Sequence, residues 1–350
     1  DFSQKENRKA FEDALDKVKS QLGGEYDLII GGKHIKTEHT VDSINPSHIK
    51  EVIGVVHEAD EKLAEKAMQT AVEAFSWWKH VDPAARASVL FKAAAILRRK
   101  KHEFSAWMVL EAGKSWPEAD GDTAEAIDFM EFYAREMLRL SERQPLTPLI
   151  GEHNELVYLP IGVGAIIPPW NFPLAITVGM TTAAIVAGNT VVLKPATPTN
   201  VIAYQFVKIL EEAGLPAGVV NYVPGPGPVV GEYLVKHALT RFISFTGSRG
   251  VGLRINELAA KTVPGQKWIK RVVAEMGGKD SIVVDEDADL DLAADAIVKS
   301  AFGFAGQKCS ACSRAIVHQN VYDEVLAKVT EKTKSLKLGQ ADDISIDLGP

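Results

Sequence analysis

The sequence predicts an α/β protein: a Rossmann-like doubly wound parallel sheet joined to a second α/β block, incomplete at residue 350. Three observations lead there. Over residues 163–260, short apolar runs alternate four times with helix-length segments, the pattern of βα units. The 350 residues, 46% hydrophobic and 24% charged, are enough for two or three domains without a disulfide or metal staple. Beyond Pro264, strand and helix patterns resume as a separate block.

In chain order, Phe11, Leu15, Val18 and Leu22 lie on one face of an opening helix. Residues 28–35 read as a hairpin about Gly31-Gly32. A helix from Asp60 carries Leu63, Ala67, Ala71, Phe75 and Trp78 on one stripe. Asp82-Pro83 supplies an N-cap and first position for the next helix, and another covers 123–140. Four strands follow, at 163–167, 190–193, 219–223 and 242–245. The helices after them span 174–187, 201–213, 228–236 and 250–260. In such a sheet, right-handed crossovers place ligands beyond the carboxyl ends of the strands. The later block offers strands at 272–274, 281–284 and 315–318 and helices at 290–304 and 322–336.

Several function classes are excluded. Acids outnumber bases 46 to 39, and no run of five Lys/Arg occurs, so neither nucleic acid nor an anionic membrane is an expected partner. Residues 159–193 carry no charge, but Pro168, Pro169 and Pro173 break the run; a buried strand and helix explain it better than a membrane span. Two cysteines do not frame a secreted module and suit a reducing compartment. The polar, acidic start resembles neither a secretory leader nor a transit peptide, so a cytoplasmic location is expected.

Four positions invite chemistry. Cys309 and Cys312 form a C-x-x-C, but zinc needs two more ligands at matching spacing, so no metal site is expected. Small residues and Lys308 precede Cys309, and a nearby cation favours thiolate over a thiol of free pKa ~8.5. Glu275, at a strand end before two glycines, is either a general base or a solvated turn residue. Asn171 either caps the helix it precedes or offers its amide to an oxyanion. Lys194 ends an apolar strand, either to meet a ligand or to reach solvent. The run from Gly225 to Gly231 resembles a dinucleotide fingerprint with one residue too many and reads as a turn into a helix.

Taken together, five segments resemble the aldehyde dehydrogenase superfamily, in family order and spacing. They are Pro169-Trp170-Asn171-Phe172-Pro173, Lys194-Pro195-Ala196, Phe245-Thr246-Gly247-Ser248, Glu275-Met276-Gly277-Gly278-Lys279 and Gly306-Gln307-Lys308-Cys309. The longer run from Gly306 through Arg314 is similar to the 1-pyrroline-5-carboxylate (glutamate-γ-semialdehyde) dehydrogenase branch, which completes proline catabolism. The resemblance implies Cys309 as nucleophile, Asn171 with the Cys309 N–H as oxyanion donors, and Glu275 as activator of the hydrolytic water. It implies NAD held by Ile167, Pro168, Trp170, Lys194, Thr197, Gly227, Gly247 and Ser248. Ser310 would meet the substrate carboxylate, Phe172 its aliphatic chain, and Glu125 the same site. Thr197 replaces a glutamate common in NAD-preferring relatives, so NADP is also expected to be tolerated.

The same resemblance divides the chain into a helical part of the cofactor domain (1–142), oligomerisation strands (143–159), the Rossmann-like core (160–271) and the start of a catalytic domain (272–350). A homo-oligomer is the expectation. Family members continue past residue 350 with further cofactor, substrate-anchoring and oligomerisation elements. Two other functions stay open: a relative acting on another aldehyde or forming acyl-CoA, which Glu275 argues against, and an inactive nucleotide-binding or assembly fragment.

Overall fold

The computed structural model describes residues 2–350. Helix α1 (Lys5–Lys19) is followed by short strands β1 (Gly24–Tyr26), β2 (Leu28–Ile30) and β3 (Lys33–Ile35), then β4 (Thr40–Asn45) and β5 (His48–His57). Four helices come next: α2 (Glu61–Trp78), α3 (Pro83–Arg99), α4 (Lys101–Ala112) and α5 (Trp116–Ser141). The Asp60 and Asp82 carboxylates cap α2 and α3 by accepting from Leu63 and Ala84 N–H, as their placement in the sequence suggests.

The alternating region builds β6 (Val163–Ile167), α6 (Ala175–Val186), β7 (Thr190–Leu193), α7 (Asn200–Glu212), β8 (Val220–Tyr222), α8 (Glu232–Lys236), β9 (Thr240–Thr246) and α9 (Arg249–Ala260). Strand β10 (Arg271–Glu275) follows, then β11 (Asp280–Val284), α10 (Leu290–Phe302), β12 (Cys312–Val317) and α11 (Tyr322–Lys334).

The main sheet has seven strands in the order β10-β9-β6-β7-β8-β2-β3. The first five are parallel, and β2 joins β8 antiparallel. The strand order reverses beside β6, with β7 and β8 on one side and β9 and β10 on the other. A crevice at the carboxyl ends of β6 and β9 is the consequence.

Alternation along each strand feeds two apolar layers. Ile29, Ile166, Val191 and Leu193 pack with α3 to α7 on one face. Leu28, Ile30, Ala165, Val192 and Ile243 pack with α2, α8 and α9 on the other. The β2–β3 hairpin turns on Gly31 (φ 60°) and Gly32 (φ 71°), the paired left-handed positions such a turn needs.

Four expectations change. Strand β10 belongs to the main sheet rather than to the later block, because it continues the parallel ladder on β9. The β1-β5-β4 sheet and α4 went unread, and α5 begins seven residues earlier than expected. The helix expected at 228–236 opens instead as a wide turn over Gly227–Gly231. Residues 143–159 form no strand: no ladder partner lies beside them, and Leu149, Ile150, Val157 and Leu159 are exposed. Among the described residues, no helix is long and apolar enough to cross a membrane.

Candidate active site

The carboxyl ends of β6, β7, β9 and β10, the turn after β8 and one loop from the later block meet at one edge of the sheet. A cavity of about 880 Å³ opens there, lined among others by Ile167, Pro168, Trp170, Lys194, Gly227, Gly247 and Ser248. Its size lies within the 300–1,000 Å³ usual for ligand sites. Seven of the eight expected cofactor residues are thus together. Thr197 is not on the wall; it begins a short 3₁₀ turn and is half-buried.

Lys194 is 5% exposed, and burial pushes its ammonium down to about 8. Its Nζ donates to the Pro195 carbonyl at 2.6 Å, which leaves protons for a ligand in the cavity. Ser248 caps α9 by accepting from Val251 N–H at 3.4 Å, so the first turn of that helix faces the same space. A buried cation at one end and a helix N-terminus at the other suit the ribose hydroxyls and pyrophosphate of a dinucleotide.

A second cavity, of about 600 Å³, is lined by Phe129, Tyr133, Met180, Arg271 and Glu275. Cys309, Ile176 and Thr246 line both cavities, so the exposed Cys309 stands where they meet. Glu275 is the last residue of β10, with its side chain exposed and its carbonyl accepting from Gly247 N–H at 3.0 Å. The turn carrying Cys309 runs against Gly278: a Cβ there would stand 2.5 Å from the Cys309 carbonyl oxygen. Glycine at 278 lets the two segments approach.

Asn171 Nδ2 donates to the Gln307 carbonyl at 2.8 Å. That bond fixes which end of the amide faces the Cys309 loop and leaves the second N–H free. Asn171 therefore bonds across to the loop that carries Cys309 instead of capping α6. Lys308, expected to bias the thiol, lies 2.7 Å from Glu118 Oε1. Its charge is thus neutralised by a carboxylate on α5. Cys312 is buried, and its Sγ donates to the Arg314 carbonyl. No metal-holding group of three or more ligands occurs among the described residues.

The expected substrate residues are less gathered. Ser310 is exposed in the turn after Cys309, and Glu125 is exposed on α5; neither is on the wall of these two cavities. Phe172 is on neither wall, and its ring lies under the Lys114 ammonium at 4.0 Å. Sequence reading missed Lys114, Glu118 and Asp122. A signal existed for Asp122: it falls on the buried stripe of α5 with Ala119, Ala126 and Met130, where a carboxylate needs a partner.

Comparison with known proteins fits this arrangement. Residues 34–350 match the model of the aldehyde dehydrogenase family. The 1-pyrroline-5-carboxylate dehydrogenase of Geobacillus sp. (strain WCH70) is 62% identical over all 350 residues, which span 68% of that protein. A 1-pyrroline-5-carboxylate dehydrogenase from Thermus, solved with bound NAD, superposes with a TM-score of 0.97 at 47% identity, covering all of this chain and 68% of that one. Proline utilization A from Bdellovibrio bacteriovorus gives a TM-score of 0.98 at 45% identity, covering 100% of this chain and 36% of that one.

Proposed function

This chain belongs to the aldehyde dehydrogenase family, and we propose that it oxidises glutamate γ-semialdehyde, the open form of 1-pyrroline-5-carboxylate, to glutamate with NAD. The observation that carries this is the position of Cys309 at the junction of a dinucleotide-sized cavity and the cavity that holds Glu275. The substrate follows from the whole-chain identity to dehydrogenases of that name.

Lys194, Gly247 and Ser248 would hold the ribose and pyrophosphate, with Ile167, Pro168, Trp170 and Gly227 walling the cleft. When bound, NAD supplies the two-electron acceptor for the hydrogen that leaves the substrate carbon. The Cys309 sulfur first bonds to that carbon, and the carbonyl oxygen takes the negative charge. The free Asn171 N–H and the Cys309 N–H donate to it; one such donor is worth about 10²–10³ in kcat. Loss of the hydrogen leaves a thioester on Cys309. Glu275 takes a proton from water, the water oxygen bonds to the thioester carbon, and the C–S bond breaks to release glutamate.

Ser310, Phe172 and Glu125 remain the substrate-binding candidates, approached from the Cys309 turn and from α5. Thr197 carries no charge to repel a 2′-phosphate, although it stands off the cavity wall, and tolerance of NADP is part of the proposal. The reading includes a cytoplasmic, self-associating protein: both cysteines are unpaired, and residues 143–159 present an apolar strip without a ladder partner.

Glu275→Gln tests the assignment. The variant should give a burst of reduced cofactor of about one equivalent per site, then slow turnover as the thioester accumulates. A variant that binds both ligands but shows no burst would remove Glu275 from the hydrolytic step.

A further inference from the structure

Lys114 and Asp122 have fully buried side chains, and Nζ lies 2.9 Å from Asp122 Oδ2. A buried ion pair of this kind is weak evidence for stability, because desolvating both charges offsets most of their attraction. Its neighbours give it another use. The ammonium sits 4.0 Å from the Phe172 ring centroid and 4.6 Å from that of Phe304. Phe172 follows Asn171 directly, and Phe304 lies five residues before Cys309. Asp122 Oδ1 also accepts from Ala175 N–H at 2.6 Å, at the start of the helix that follows the Asn171 loop.

Phe304 and Ala305 adopt φ of 50° and 53°, left-handed values that non-glycine residues hold only when their surroundings impose them. The Phe304 ring is gripped on two sides, by Lys114 and by Trp170, whose ring centroid is 6.4 Å away. One cation thus touches the segment that carries the oxyanion amide and the segment that carries the nucleophile.

We propose that Lys114, held by Asp122, is a positioning residue that sets the distance and orientation of Asn171 relative to Cys309 through the faces of Phe172 and Phe304. The proposal rests on the roles given to Cys309 and Asn171. It predicts that losing the cation slows carbon–sulfur bond formation without loosening cofactor binding, since Lys114 lies off the wall of the larger cavity.

The test uses the full-length enzyme with Lys114→Met/Asp122→Asn, which removes both charges together and keeps an acceptor for Ala175 N–H. Expected are an unchanged Tm, an NAD Kd within about threefold of the parent, and a fall in kcat and in the single-turnover burst rate of about 30-fold or more. Phe304→Leu keeps the ion pair and the apolar burial but removes one ring face, and should lower the burst rate about tenfold. If the double variant fails to fold, the Phe304→Leu burst rate decides. A burst rate within threefold of the parent in either folded variant overturns the proposal, as does a loss shared equally by kcat, NAD affinity and Tm. Each outcome is a ratio to the parent, so it is distinct from an inactive parent or an active Cys309→Ala, which would reject the underlying reading.

Discussion

The walls of the cleft are built on unequal cores. Up to residue 275, the seven-stranded sheet is covered on both faces, with Phe206, Leu193, Ile166 and Val192 fully buried. The later block packs a small cluster around Val284, Ile297 and Val325 under a two-stranded sheet, while Val283, Leu292, Ile316 and Leu326 stand exposed. The proposed cofactor residues lie on the first kind of support and Cys309 on the second. The segment that carries Cys309, the proposed nucleophile, is therefore held from across the cleft: by Asn171 on Gln307, by Glu118 on Lys308 and by Lys114 on Phe304. Binding geometry comes from a packed core, and reactive geometry from polar and aromatic contacts made by the neighbouring region.

The strongest test of that division is Cys309→Ala. Aldehyde oxidation should be abolished while the NAD Kd, measured by calorimetry, stays within about twofold, because the nucleotide cleft does not depend on the thiol. The nearby Cys312→Ala should keep activity, its buried sulfur making only a weak contact with the Arg314 carbonyl.

The contrast in cores gives the next effect. Ile202→Ala, in the covered layer where the surroundings cannot collapse, should cost about 4–5 kcal/mol of unfolding free energy by denaturant titration. Ile297→Ala, in the small cluster among partly exposed neighbours that can relax into the space, should cost only about 2 kcal/mol. Equal costs at both sites, each made on an alanine scale, would erase the contrast.

Glu111 marks the same asymmetry through pH. It is buried at the end of α4, where it accepts from Ser43 Oγ and from the N–H groups of Val201 and Ile202 that open α7. Burial pushes its carboxyl up to about 7, from an ordinary value of 4.5. The folded state thus binds the proton more tightly than the unfolded one. Its contribution is full below about pH 4.5 and declines as pH rises to about 7, by a total on the order of 3 kcal/mol. Glu111→Gln should flatten the stability profile in that window; an unaltered slope would place the pH dependence elsewhere.

Legibility in the sequence follows the same line. The βα units from 163 to 260 were readable because each strand and helix announces itself locally, through apolar runs closed by Gly188 or Gly214. The pairing of β2 with β8 was not, since it joins residues nearly two hundred apart through a single registered pair, Ile29 with Tyr222. At the site, short motifs picked out Cys309, Asn171, Glu275 and seven cofactor candidates that the fold then gathers at one crevice. Lys114 was not: alone between Gly113 and Ser115 it looks like a surface loop charge, and only tertiary packing buries it between two rings. The strands expected at 143–159 rested on family resemblance alone, and within one chain that segment has no neighbour to form a ladder with.

The most direct measurement is mass spectrometry of Glu275→Gln quenched after mixing with NAD and glutamate γ-semialdehyde. One acyl group per chain is expected, placed by fragmentation on Cys309 and absent when NAD is withheld. An acyl group on Cys312, or a burst of reduced cofactor with no protein adduct, would contradict it.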